Sequence, residues 1–230
     1  MKNDHVYSEL AGCHACPLCL HRKRVALPTS TAMMTSRYMV VGTFPSHTED
    51  EAGRAWIDST RRLLLENLLE VVGLDAAQTY KTYMIKCIPS PPDNFPAGIE
   101  SEVCTTWLTY EVFVNKPLVV IVFGEQPVDF FLGSRFVRYG IAHVASDTRY
   151  SWFNLVTRKY VEAGHKVILR RTFPERHEGP LVVPFYDIDV IKQSSRKAIA
   201  KQVKTLKQVV ALAQDIPVTW TAAMMRATTK

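Results

Sequence analysis

Leu118-Val119-Val120-Ile121-Val122-Phe123-Gly124 is a short, uninterrupted apolar run bounded by Pro117 and a glycine. Such a run reads as a strand buried on both faces and ending in a loop. The residues from Gln126 to Leu132 then form a helical continuation. Upstream, Tyr38-Met-Val-Val-Gly42 repeats the pattern of apolar strand and terminal glycine. Between these runs, Leu64, Leu65, Leu68, Leu69 and Val72 share one face of a helix expected over Arg61 to Val72, with Gly73 as its stop. A second strand is expected over Thr79 to Lys86 and a late one over Leu181 to Tyr186. A long amphipathic helix over Ser194 to Ala213 carries Lys and Arg on its outer face.

Strands alternating with helices predict an α/β fold, a three-layer α/β/α sandwich around a central, mainly parallel sheet. In such sheets the working loops lie beyond the carboxyl ends of the strands, here 42–58, 83–98 and 186–196. The chain reads as one domain over 1–230, with an aromatic and basic insertion at about 134–166 that fits the alternation poorly.

A hydrophobic fraction of 47% argues against disorder, and no apolar run approaches the ~20 residues that span a bilayer. MKNDHVYSEL has no apolar signal core, so a reducing, cytoplasmic setting is expected. Lys and Arg exceed Asp and Glu, 28 to 22, which mildly favours a polyanionic partner.

Cys13 and Cys16 form a Cys-x-x-Cys, and Cys87 and Cys104 follow far downstream. Two near and two distant thiols in a reducing setting read as a chelate for zinc or an iron–sulfur cluster, and spacing alone leaves both open. Cys19 is left over as a thiol.

Five motifs, in order, resemble those of the family-four uracil-DNA glycosylases. Val41-Gly42-Thr-Phe-Pro45-Ser, then Glu49-Asp50 and Gly53-Arg54-Ala-Trp56, resemble that family's Gly-Glu-Gly-Pro-Gly, Glu-Asp and Gly-Arg-Pro-Phe. Tyr80-Lys-Thr82-Tyr83-Met-Ile-Lys86-Cys87 is similar to its Tyr-x-Thr-Asn-x-x-Lys-Cys. Cys104 to Leu108, Pro117 to Gly124 and Phe130 to Gly133 continue the likeness. The resemblance covers about residues 10–133 and resumes near 167–212. It implies a 4Fe-4S cluster of structural role on Cys13, Cys16, Cys87 and Cys104, with zinc as the alternative. It also implies DNA as partner and a monomeric N-glycosylase.

The departures from the family fall on the chemistry. Thr43 stands at an acidic position, Tyr83 at a base-reading Asn, and Asp187 where a His is expected. A phenol does not reproduce the donor–acceptor pair of an amide. Ordinary uracil excision is therefore not expected. One reading is a site retuned for a bulky modified pyrimidine, for example glucosylated hydroxymethylcytosine in phage DNA, acting in defence against phage. The other is a silent DNA-binding or replication accessory protein. For the retuned site, Asp187 and Thr43 are the catalytic candidates, Asp187 being alternatively a helix cap. Phe44, Trp56, Asp58 and Tyr83 are expected to form the base pocket, with Trp56 stacking on the flipped base. Lys192, Ser194, Ser195, Arg196 and Lys197 are expected at DNA phosphates, and the run His21-Arg22-Lys23-Arg24 either there or on a solvated face.

Overall fold

The computed structural model describes residues 2–29, 36–89, 96, 98–132, 153–154, 159–162, 165–168, 180–191 and 196–215. Four parallel strands make the main sheet: β1 (Tyr38–Gly42), β2 (Tyr80–Tyr83), β3 (Val119–Phe123) and β7 (Leu181–Phe185), in the order β2-β1-β3-β7. Its register pairs Val41 with Thr82 and Val122, and Val122 with Pro184.

Alternation along the strands divides the core into two layers. Met39, Val41, Val120 and Val122 point to one face, where α1 (Lys2–Ala11), α4 (Gly98–Asn115) and α5 (Glu125–Leu132) supply Leu10, Leu108 and Phe131. Val40, Val119, Ile121 and Phe123 point to the other, where α3 (Ser59–Val71) and α6 (Arg196–Asp215) supply Leu65, Leu69, Leu206 and Val210. This is the expected three-layer sandwich, because only a sheet apolar on both faces needs a helical cover on each.

The strand and helix expectations hold with shifts at the ends. The second strand is shorter than Thr79–Lys86: after Tyr83 the chain turns, and Met84 N and Ile85 N bond to Gly42 O and Thr43 O at 2.7 and 2.9 Å. Three α-helices had no sequence expectation, α1 being the first. A short helix α2 (His47–Ala52) is held by a capping box in which Ser46 and Glu49 bond reciprocally. α4 carries Cys104 and Leu108 into the core. Within the proposed insertion, β4 (Phe153–Asn154), β5 (Lys159–Glu162) and β6 (His165–Ile168) form a separate antiparallel sheet. The remainder of 134–166 lies outside the described residues. Among the described residues no helix is long and apolar enough to cross a membrane.

One charged pair lies inside the first layer. Lys86 Nζ, on a residue 1% exposed, donates to Glu111 Oε2 of α4 at 2.8 Å, to Thr82 Oγ1 at 2.6 Å and to Tyr83 O at 2.5 Å. Among the described residues, the buried Glu111 Oε1 has no hydrogen-bond partner. Burial raises the Glu111 carboxyl above the usual range, against the pull of Lys86.

Candidate active site

The sheet order reverses between β1 and β3: the chain leaves β1 for β2 on one side and returns to β3 on the other. A crevice at such a switch point is where ligands enter open α/β sheets. A cavity of about 410 Å³ opens there, lined by Thr43 and Phe44 after β1, Gly124 to Gln126 after β3, and Tyr186 to Val190 after β7. That volume lies within the ~300–1,000 Å³ of small-molecule pockets.

Thr43 and Asp187 meet across Gly124. Thr43 Oγ1 lies 2.9 Å from Asp187 Oδ2 and 3.2 Å from Phe123 O, so its single proton goes to one of two acceptors. Asp187 Oδ1 accepts from Asp189 N at 3.0 Å, and Asp187 O accepts from Val190 N and Ile191 N. One oxygen of the candidate catalytic carboxylate thus closes a turn onto Asp189, and the other faces Thr43. Gly124 makes this close approach possible. It sits at φ +97, and a Cβ there would lie 2.9 Å from Asp187 Oδ2 and against Thr43 Oγ1. Gly124→Ala is therefore expected to separate Thr43 from Asp187 and to lower the melting temperature, with a backbone cost of about 1–2 kcal/mol. Thermal denaturation alongside activity checks both effects.

Beneath the cavity lies a polar floor that sequence reading did not foresee. Glu49 is fully buried and accepts from Tyr83 Oη at 2.8 Å, from Ser46 N at 2.8 Å and from Arg61 at 3.2 Å. Arg61 also donates to Phe44 O at 3.0 Å and grips Asp189 through both Nε and Nη2. Burial opposes the Arg61 charge, but Asp189 and Tyr83 together outweigh it and the guanidinium holds its proton more firmly than usual. The Tyr83 phenol is pushed well above its ordinary range by burial and then by Glu49, so it remains a neutral donor.

This floor changes the assignment of two expected pocket residues. Trp56 is 2% exposed, at φ +59, with its indole Nε1 donating to Thr82 O at 2.9 Å. Its ring stacks on Tyr83 at 5.1 Å and 10°, and Phe123 tilts against it at 5.7 Å. Trp56 does not line the cavity, because Tyr83 covers it. Asp58 does not line it either. It caps α3 by accepting from Thr60 N and Arg61 N, and Ser46 Oγ donates to it. Tyr83 and Phe44 do line the cavity, but the Tyr83 hydroxyl is engaged by Glu49.

Arg196 and Lys197 are exposed at the start of α6, whereas Lys192, Ser194 and Ser195 lie outside the described residues. The run His21 to Arg24 is not one free cationic patch. Lys23 pairs with Glu51, the Arg24 side chain packs against Gly53, and Arg22 turns inward. Gly124, Gln126, Glu49 and Arg61 escaped the sequence reading. Glu49 and Gly124 nevertheless stand in the quoted family motifs, and Glu49 carried a further signal as N3 of the Ser46 capping box.

A family model of the uracil DNA glycosylase superfamily matches residues 29–165, more than half of the chain. The chain belongs to the uracil-DNA glycosylase superfamily. A type-4 uracil-DNA glycosylase of Pyrobaculum aerophilum is 33% identical over 124 residues, 54% of this chain and 61% of the relative. Another, of Thermotoga maritima, is 30% identical over 123 residues, 54% of this chain and 62% of the relative. A third, of Sulfurisphaera tokodaii, is 26% identical, covering 54% of each chain. This chain thus spans less than two thirds of the length of these relatives.

Superfamily membership directs attention to the four cysteines. Cys16, Cys87 and Cys104 are buried in the same core layer, and Cys13 is half-buried beside them. Burial pushes the Cys87 thiol up to about 12, with Arg22 pulling it back and Cys104 and Cys16 adding to the rise. Burial likewise raises Cys16 and Cys104, each of which registers the charge of Cys13. The four thiols are therefore electrostatic neighbours. A zinc ion would draw sulfurs to about 2.3 Å from one point. Among the described residues, no three His, Cys, Asp or Glu side chains close around such a point. Four grouped thiols are the donor chemistry of a four-thiolate iron–sulfur cluster and equally of a zinc site.

Proposed function

We propose that this chain is a DNA N-glycosylase that accepts a flipped base larger than uracil at the β1–β3–β7 cavity and leaves an abasic site. The observation that carries the reading is the Thr43–Asp187 pair at the switch-point cavity of a uracil-DNA glycosylase fold. Breaking the glycosidic bond leaves positive charge on the sugar, and the bond's electron pair departs with the base. A carboxylate at the cavity wall stabilises that cation and orients the water whose oxygen bonds to the sugar carbon. Asp187 is that carboxylate. It takes the proton the water gives up, and that proton passes through solvent to the released base anion, leaving Asp187 ionised again. Thr43, donating to Oδ2, holds its orientation. Phe44 and Tyr186 supply aromatic walls, and Gln126 supplies an amide in place of the reader that Tyr83 replaces. Arg196 and Lys197 meet the backbone phosphates. The substrate class is a modified pyrimidine, such as glucosylated hydroxymethylcytosine in phage DNA, and the biological role is defence against phage.

Cys13, Cys16, Cys87 and Cys104 hold a 4Fe-4S cluster in this reading. When bound, the cluster cross-links the N-terminal segment to the loop after β2 and to α4, and it takes no part in the bond-breaking step.

A second reading is favoured by one observation: Tyr83 lies on the Trp56 face and its hydroxyl is held by Glu49, closing a uracil-sized stacking site. On that reading the fold is a silent DNA-binding module. The two separate by base release. Purified protein is incubated with uracil-containing DNA, unmodified DNA and phage DNA bearing glucosylated hydroxymethylcytosine. Abasic sites are then revealed by alkali and freed bases by mass spectrometry. Release from the modified DNA alone is the expected result. Binding to all three with release from none overturns the glycosylase reading in favour of the silent module.

A further inference from the structure

We propose that Arg22 is a positioning residue for the four-cysteine metal site, tying the N-terminal ligand segment to the ligand after β2. This rests on the reading that the cysteines hold a metal group. The Arg22 guanidinium donates through Nη2 to Cys13 O and through Nη1 to Cys87 Sγ at 3.5 Å. Cys13 and Cys87 are 74 positions apart in sequence, so these two bonds span the gap between the paired and the distant ligands. Arg22 N bonds to Leu18 O at 3.1 Å, at the end of the short 3-10 helix Pro17–Leu20 that follows Cys16, which sets the side chain on course. Its neighbours serve another surface: Lys23 pairs with Glu51 and bonds Asp50 through its backbone N–H, and Arg24 packs on Gly53.

Only a planar fork reaches a carbonyl and a sulfur at once in fixed geometry; an ammonium is a single point of charge. A cationic donor on a ligating sulfur also favours the more negative, reduced state of an iron–sulfur group. Arg22 therefore has two separable effects: retention, through the cross-link, and redox potential, through the charge.

The test uses the full chain purified without oxygen as wild type, Arg22→Gln, Arg22→Lys and the neighbouring control Lys23→Gln. Iron and sulfide content, the rate of metal loss to a chelator, midpoint potential and melting temperature are measured for each. Arg22→Gln is expected to lose metal about tenfold faster or more and to shift to lower potential. Arg22→Lys restores the potential without restoring retention, and Lys23→Gln matches wild type. A lower melting temperature in Arg22→Gln with unchanged potential and loss rate overturns the proposal, since a packing role moves only the first. A wild type that carries zinc overturns the iron reading alone, and zinc loss to the chelator then tests the cross-link. A wild type that takes up neither metal overturns both.

Discussion

Lys86→Met is expected to destabilise the fold by about 3–5 kcal/mol, because it strands Glu111 as an unpaired charge in the core. Lys86 is 1% exposed and Glu111 3%, and Nζ also holds Thr82 Oγ1 and the Tyr83 carbonyl, so no water takes over any of its three bonds. The double change Lys86→Met with Glu111→Leu removes both charges at similar volume and is expected to recover most of that loss. Urea denaturation of wild type, the single variant and the double variant gives the comparison. Equal destabilisation in the single and double variants contradicts the stranded-charge account.

The same pair has a pH signature. Burial raises the folded-state Glu111 carboxyl above its value in the unfolded chain. The folded state therefore binds that proton more tightly. The resulting contribution is complete below the unfolded value of about 4.3 and is lost as pH rises through the raised one. Glu111→Gln removes this titration. The wild-type stability minus that of the variant is thus expected to fall between acid and neutral pH.

The second large effect falls on Asp187. Asp187→Asn retains an oxygen for Asp189 N, so the turn is kept while the negative charge is removed. Base release is expected to drop by about 10²–10⁴-fold, with stability within about 1 kcal/mol of wild type and DNA binding retained or tightened. Asp187→Ala adds the loss of the side-chain bond to Asp189 N, about 1 kcal/mol. Single-turnover release and DNA affinity, measured side by side, separate these effects. If Asp187→Asn releases base at the wild-type rate, Asp187 only holds the turn.

Glu49 and Asp187 illustrate what could be read in advance. Both stand in recognisable motifs, yet only Asp187 invited a chemical role, because it replaces an expected His. Glu49 was part of a family signature with no task attached. Its burial beneath Tyr83 depends on α2 turning back over the sheet, a turn encoded in the Ser46–Glu49 capping box rather than in any spacing to Tyr83. Trp56 shows the converse. A large aromatic near the site reads as a stacking platform, but its accessibility depends on what packs over it. The occupant is Tyr83, from a strand 27 positions away.

The sequence by itself determined the layered architecture. Apolar runs at Tyr38–Gly42, Val119–Phe123 and Leu181–Phe185 bury both faces of the sheet, and the helical faces between them match. These are local regularities, and hydrophobic burial acts on them wherever they lie. It also marked the four cysteines, because Cys-x-x-Cys with two distant partners is a pattern of residue type alone. Only the tertiary structure decided which side chains face the cavity. Asp58 and Trp56 left the expected pocket, Asp189 was drawn to Arg61, and Arg22 turned from a basic run onto a cysteine sulfur. Each of those outcomes is a hydrogen bond, ion pair or ring contact between elements. Its energy depends on distance and on the exclusion of water, and both exist only once the layers have closed.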